Sequence, residues 1–190
     1  TPAAPDCAYD LAMATWVGYP ASYSKGRVRP VQYVVIHSTQ GSEGPTSAED
    51  GAAYDKRRTD GTSTHLFVDS NSAVREVPDA DRAHHARYHG NEIGLGIELC
   101  GLAQQSDAQW HDANSLPMLR IAAAETAQMC RDHGLPVRRL SAAALGVSTA
   151  LATGVTLSVP APVASTRLVT LVDRVATGHS SSTAGGWGDG

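Results

Sequence analysis

Residues 34–39, which read Val-Val-Ile-His-Ser-Thr, decide the fold together with a counterpart downstream at residues 94–99, Gly-Leu-Gly-Ile-Glu-Leu. Both are short apolar runs, which is typical of buried strands. Each run carries one polar side chain near its end, His37 in the first and Glu98 in the second. Imidazole and carboxylate groups bind metals and move protons. We therefore expect two strands that bring a histidine and a glutamate to the rim of one sheet.

The rest of the chain predicts an α/β fold around those strands. A capping threonine and an early acid at residues 46–49 predict a helix of about three turns. The polar turn at residues 69–72 separates two apolar segments, which indicates a hairpin. Pro117 near the start and Gly134 just past the end delimit a long helix. The pattern predicts a single domain with a central mixed β-sheet flanked by helices.

Composition shifts divide the chain into three parts. Residues 1–30 mix Pro, Gly and aromatic residues without periodicity, and we expect an arm packed on the domain. The domain itself would span residues 31–177, with helical spacing at 166–175. Residues 178–190 are rich in Gly and Ser, which predicts a C-terminal tail or a ligand-bearing loop.

Charge and hydropathy exclude several classes of partner. The chain has 190 residues and a net charge of −4 without a block of Lys and Arg, so nucleic acid is not expected as a partner. No apolar run approaches the length of a transmembrane helix, which argues against membrane insertion. The start at Thr1 could be a mature end left by processing, which hints at export.

The three cysteines give two readings. Cys7, Cys100 and Cys130 lack the close spacing of a zinc knuckle or a redox pair. A disulfide between Cys100 and Cys130 would suit a secreted chain, and small buried hydrophobes would suit any chain. Both readings stay open at this point.

Histidines accumulate between the two predicted strands. His65 lies in the predicted hairpin, and His84 and His85 follow it before the second strand. A lone histidine is more often structural than catalytic, but His37 and Glu98 change that expectation. Several imidazoles and a carboxylate in one compact sheet indicate a hydrolytic metal centre.

The order of these motifs resembles that of a known family, the zinc-dependent N-acetylmuramoyl-L-alanine amidases of the type-2 amidase and peptidoglycan-recognition-protein superfamily. The resemblance covers about residues 31–134 and rests on four motifs in sequence: Val-Val-Ile-His-Ser-Thr at 34–39, Thr-His-Leu-Phe-Val-Asp at 64–69, His-His-Ala at 84–86, and Asn91 ahead of Gly-Leu-Gly-Ile-Glu-Leu at 94–99. It implies that family's fold and makes residues 31–177 an amidase-like catalytic domain. The family often has Tyr before the hairpin histidine, where this chain has Thr64.

The resemblance implies a role for each matching residue. His37 would be a zinc ligand, and Glu98 would assist the attacking water. His65, His85 and Asn91 would line the substrate cleft. His84 and His89 match no motif position and are interpreted as surface residues.

The C-terminal end departs from the family pattern, which completes the zinc site with a Gly-His pair after the long helix and then an Asp or Cys. The expected place reads Leu-Ser-Val-Pro at residues 157–160. The later candidates are His179, in Gly178-His179, and Asp189, whose separation suits the family's ligand pair. We predict that His179 and Asp189 complete the zinc site with His37.

The function implied by the resemblance is zinc-dependent hydrolysis of the amide between N-acetylmuramic acid and L-alanine in peptidoglycan. The alternative is a recognition domain that binds peptidoglycan without cutting it. A Ser- or Cys-nucleophile hydrolase fits less well, since no Gly-x-Ser-x-Gly elbow is present. We expect a monomer that acts on peptidoglycan outside the cell or in the cell wall, as an endolysin or an autolysin.

Overall fold

A five-stranded mixed sheet carries the fold in the computed structural model, which describes residues 14–140. Its strands are β1 (Thr15–Trp16), β2 (Tyr33–Ser38), β3 (Leu66–Val68), β4 (Ala73–Arg75) and β5 (Gly94–Leu99). Its helices are α1 (Ser47–Asp55), α2 (Tyr88–Ile93), α3 (Asp107–Trp110) and α4 (Ser115–Asp132). The predicted α/β class, with helices around a mixed sheet, is confirmed. The helical spacing at 166–175 and the C-terminal tail lie outside the described residues.

The strands follow the order β1-β4-β3-β5-β2. Strand β5 pairs in parallel with both β2 and β3, whereas β3 and β4 form the predicted antiparallel hairpin. Strand β1, from the arm, pairs in parallel with β4. None of the described helices is long and apolar enough to cross a membrane.

Asp69 joins the hairpin to helix α1. Its Oδ1 accepts hydrogen bonds from the backbone N–H groups of Asn71 (3.0 Å) and Ser72 (2.9 Å), which closes the turn. Its Oδ2 accepts from the N–H of Ala48 at 3.0 Å, one of the donors that a helix start leaves unpaired. A single buried carboxylate therefore sets the distance between α1 and the sheet.

Helices α1 and α4 cover opposite faces of the sheet. Phe67 pairs with Glu98 across β3 and β5, and a Cβ atom at Gly51 of α1 would lie only 2.8 Å from its ring. Arg75 belongs to the alternate face and reaches Glu125 of α4 at 4.0 Å. Helix α1 thus covers the part of this face that carries Phe67, and the part over β5 and β2 carries Glu98.

Helix α4 confirms the most regular prediction from the sequence. Its buried residues recur with helical spacing, and the apolar ones belong to the hydrophobic core: Met118, Ala122, Met129 and Cys130. Gly134 follows with a φ of +64°, the left-handed conformation that closes helices and favours glycine. Cys100 and Cys130 are both buried free thiols, so the small-hydrophobe reading holds for this pair.

A buried pair of carboxyl groups lies where α1 meets the end of β4. Asp55 and Glu76 are 2% and 0% exposed, and their carboxyl groups interact electrostatically. Glu76 Oε1 accepts from the N–H of Thr64 at 3.0 Å, and Asp55 Oδ1 accepts from Arg58 Nη1 at 3.0 Å. Burial and the neighbouring Asp55 raise the pKa of Glu76 from 4.5 to about 9. Glu76 therefore holds its proton at neutral pH.

This pair predicts stability that declines with rising pH. Between pH 4.5 and about 9 the folded chain retains a proton on Glu76 that the unfolded chain releases, so the free energy of unfolding falls by up to about 1.4 kcal/mol per pH unit. Glu76→Gln keeps an acceptor for Thr64 and a donor for Asp55 without a proton to lose. We expect it to flatten this dependence, measured by urea unfolding at pH 5, 7 and 8.5. The control is Glu49→Gln, an exposed residue of α1. A parent protein whose stability is level over this range would contradict the assignment.

Candidate active site

His37 and Glu98 are direct neighbours across the parallel pair of β2 and β5. Residues in register on adjacent strands point to the same face, so both side chains project from the face that carries Phe67. The sequence predicted both groups at the rim of the sheet, but the strands continue to Ser38 and Leu99. The continuation has a physical reason, because the N–H of Thr39 still bonds the carbonyl of Leu99 at 2.9 Å. The candidate site is therefore on a sheet face.

His85 lies on this face against His37. Its Nδ1 is 3.0 Å from His37 Nε2, and the two rings meet edge to face with centroids 5.2 Å apart. The glycines of β5 make room for the ring: a Cβ atom at Gly96 would lie 2.6 Å from His85 Cγ, and one at Gly94 would lie 3.3 Å from His85 Cε1. Gly94 and Gly96 thus leave room for the ring of His85 on the face from which Glu98 projects.

Asn91 holds the segment that carries His85. Its side-chain Oδ1 accepts a hydrogen bond from the backbone N–H of Ala86 at 2.6 Å. Arg87 follows with a φ of +55°, so the chain turns sharply there before α2 begins. The structure therefore places Asn91 beside His85, where it fixes the backbone of the His-Ala motif.

His65 lies behind the site and has no exposed surface. Its backbone N–H bonds the carbonyl of Gly96 at 3.2 Å, and its Nδ1 accepts from the N–H of Gly96 at 2.9 Å. Arg27 Nη2 lies 2.9 Å from its Nε2. This burial follows from its position one residue before β3, where the chain is already paired with β5. A direct contact between His65 and a substrate has no support in this arrangement.

Both His65 and His85 are neutral at physiological pH. Burial is the main reason that their pKa values lie well below 6.5. The next cause for His65 is the neighbouring His85, and the next cause for His85 is His37. Neutral imidazoles retain the lone pair needed to accept a hydrogen bond or a proton.

The two histidines outside the motifs differ from each other. His89 is exposed and lies 3.4 Å from Glu92, as expected of a surface residue. His84 is half-buried, with Nε2 at 2.9 Å from the hydroxyl of Ser24 and Nδ1 at 3.1 Å from the carbonyl of Gly61. His84 therefore fastens the arm to the domain, a role that depends on residues remote in sequence.

Arg27 is the residue near the site that sequence reasoning missed. It lies in an arm without periodicity, where a single arginine gives no signal. The guanidinium reaches the carbonyls of Asp79, Glu92 and Gly94 in addition to His65.

The spacing of Gly94 and Gly96 was a signal in the sequence for the place of His85. Glycines that alternate along a strand leave one face of that strand without side chains, so another ring can lie there.

A cysteine nucleophile does not fit the described cysteines. Cys100 and Cys130 are 2% and 1% exposed. Burial raises the pKa of both thiols above the ordinary value. A nucleophilic cysteine requires an accessible thiolate, so these two are structural.

The ligand chemistry of a zinc site is partly present. His37 is buried beside Glu98, and its Nε2 lies 3.0 Å from His85 Nδ1. Metal-bound histidines characteristically use their second ring nitrogen for a hydrogen bond. Within residues 14–140 no group of three or more His, Cys, Asp or Glu residues could hold a metal ion. The predicted ligands His179 and Asp189 lie outside the described residues, so His37 is the one predicted ligand that the structure places.

Solved structures share this fold. A mutant endolysin from Bacillus subtilis is 21% identical with a TM-score of 0.52, over 65% of this chain and 80% of that one. PlyL is 17% identical with a TM-score of 0.53, over 65% and 76%. The Staphylococcus aureus hydrolase AmiA, solved with its ligand, is 16% identical with a TM-score of 0.52, over 68% and 60%. At these identities the likeness concerns the fold. No curated protein matches the sequence significantly.

The sequence model of the type-2 amidase family, described as N-acetylmuramoyl-L-alanine amidase, matches residues 27–156. The chain therefore belongs to the N-acetylmuramoyl-L-alanine amidase family. The resemblance predicted from the motifs is confirmed.

Proposed function

We propose that this protein is a zinc-dependent hydrolase that cleaves the amide between N-acetylmuramic acid and L-alanine in peptidoglycan. The observation that carries the proposal is the register of β2 and β5, which sets His37 beside Glu98 on one face, in a chain of the amidase family. A metal ligand and a carboxylate at neighbouring positions are the two groups that metal-assisted amide hydrolysis requires.

His37, His179 and Asp189 would hold the zinc ion. When bound, zinc polarises the scissile carbonyl and lowers the pKa of water toward neutrality. The contact with His85 would fix the ring orientation of His37, as outer partners do for metal-bound histidines. Three protein ligands match the number found in catalytic zinc sites, where a further position stays open.

Glu98 is the proposed general base. Its carboxylate would take a proton from the attacking water and pass it to the leaving amine of L-alanine, so that the proton is conserved over the cycle. His85 and Asn91 remain our candidates for substrate contact. The predicted substrate role of His65 becomes indirect in this proposal, because the side chain is enclosed and holds Gly96.

The test is a digestion of purified peptidoglycan sacculi by the full chain. We expect new amino-terminal L-alanine without new reducing sugar ends, identified by mass spectrometry of the released peptides. A chelator should abolish the release and added zinc should restore it. Binding to sacculi without release of peptides would instead indicate the non-catalytic recognition domain. Reducing ends in place of free alanine would assign a different bond.

The place of action follows from this substrate. Peptidoglycan is the only partner that we propose, and cleavage there requires a location outside the cell or in the cell wall. We propose that the protein acts as a monomer, as an endolysin or an autolysin would.

A further inference from the structure

We propose that Arg27, on the N-terminal arm, is a positioning residue for the catalytic face: it fixes the start of β5, and through it the two glycines over which His85 lies in contact with His37. The expected effect of Arg27 on turnover rests on the proposed function. The positioning of β5 and His85 by Arg27 rests on contacts among residues 27–98 alone. Among the described residues, the hydrogen-bond contacts of Arg27 do not include His37, His85 or Glu98.

The guanidinium of Arg27 binds three backbone carbonyls at once. Nη1 donates to Glu92 O and Nη2 to Gly94 O, each at 3.1 Å, and Nε donates to Asp79 O. Glu92 and Gly94 flank the junction at which α2 ends and β5 begins. The planar fork of arginine matches several acceptors in fixed directions, which a lysine ammonium cannot do. Arg27 therefore determines where β5 starts.

The strand that Arg27 fixes is the one over which His85 lies. Gly94, whose carbonyl accepts from Arg27 Nη2 at 3.1 Å, is separated by one residue from Gly96, and both glycines lie under the ring of His85. His65 Nδ1 accepts from the N–H of Gly96 at 2.9 Å, so the neutral ring carries its proton on Nε2, which faces the carbonyl of Asp81 at 3.4 Å. Arg27 Nη2 contacts this nitrogen at 2.9 Å without donating a hydrogen bond to it. A shift of the β5 start would therefore displace His85 from His37.

The positive charge of Arg27 also favours the neutral form of His65. A protonated His65 would carry a positive charge next to the guanidinium in a buried place. Burial is the largest cause, and Arg27 a further one, of the lowered pKa of His65. His65 thus stays neutral, and its Nδ1 stays available to the N–H of Gly96.

Other contacts attach the arm independently of Arg27. Ser24 exchanges backbone hydrogen bonds with Arg82 at 2.9 Å and contacts His84. Gly26 donates from its N–H to Asp81 Oδ1 at 2.8 Å. Loss of the Arg27 side chain is therefore expected to leave the arm in place, which separates positioning from folding.

The experiment compares Arg27→Ala and Arg27→Lys with Arg29→Ala in the zinc-loaded full chain. Arg29 is the matched control, because it lies on the same arm and its ion pair among the described residues is a surface one, with Glu92 at 3.3 Å. We expect Arg27→Ala to lower kcat by about 10-fold, the low end of the range for loss of an outer partner, because Arg27 acts through β5 and not on His37 itself, with little change in KM. Arg27→Lys retains the charge without the fork and should recover only part of kcat.

Nuclear magnetic resonance provides a readout that does not depend on turnover. In ¹⁵N-labelled protein, we expect Arg27→Ala to shift the Gly96 amide and the ring nitrogens of His85, and Arg29→Ala to leave both unchanged. Signals in Arg27→Ala that match those of Arg29→Ala would overturn the proposal, as would a lower melting temperature with unchanged kcat. If the parent protein lacks amidase activity, the proposed function fails while the resonance comparison still decides the role of Arg27.

Discussion

Replacing Glu98 with glutamine is expected to lower kcat by about 10²–10⁴-fold, the range that a positioned general base contributes. Glutamine has nearly the shape of glutamate, but it cannot take a proton from water. Zinc content should stay at that of the parent, because Glu98 is not a proposed ligand. The measurement is the release of amino-terminal alanine from sacculi at saturating substrate, beside elemental analysis of the same preparation.

The control for Glu98 is Glu92→Gln, a nearby glutamate whose side chain pairs with Arg29 and His89 at the surface. It should turn over at the rate of the parent. If the Glu98→Gln protein retains more than about a tenth of the parent kcat, the loss of kcat is smaller than a general base usually contributes. The proton would then have to move through another group, and the assignment of Glu98 would be wrong.

Replacing His37 with alanine is expected to remove both zinc and activity. The parent should carry about one zinc per chain, as a single three-ligand site does. Loss of a ligand should weaken zinc binding by more than the roughly 10–100-fold that follows loss of an outer partner. Elemental analysis after dialysis, and competition with a chelator, measure this directly. His89→Ala is the control, since that side chain is exposed and lies beside Glu92 at the surface.

Two outcomes for His37 separate the parts of the proposal. Zinc retained in full by His37→Ala would remove this residue from the metal site. Zinc lost from His37→Ala but retained by His179→Ala would keep His37 as a ligand and place the remaining ligands elsewhere than the C-terminal segment. A parent with little zinc and no peptide release would favour the peptidoglycan-binding alternative.

Local sequence signals predicted the elements that local forces specify. The strand at residues 94–99 was predicted with its observed bounds, because glycines and a flanking polar segment delimit it. Helix α4 was predicted from its spacing and from Gly134. The two-residue strand β1 had no such signal, since it exists only through its pairing with β4. A strand of that length gains its backbone partners from residues far along the chain.

For the candidate site too, the sequence predicted some features and missed others. The motifs identified His37, Glu98 and His85, and the structure brings these three together. The motifs could not show that His65 is buried, because its contacts include Arg27, which is 38 positions away in an aperiodic segment. Nor could the motifs show whether His37 and Glu98 lie at the rim of the sheet or on its face, since that depends on how far β2 and β5 stay paired. Both failures concern tertiary contacts, which override local patterns.

The parallel pairing of β2 with β5 also has a consequence for the order in which the protein becomes functional. Ser38 and Gly101, which bond across this pair, are 63 residues apart in sequence, so helix α1 and the hairpin must be accommodated before the two strands align. Contacts of such long range form slowly in folding. A register error of one residue would turn His37 toward α4. We therefore expect catalytic competence to arise at the end of folding, with partly folded chains inactive against the wall that this protein would cut.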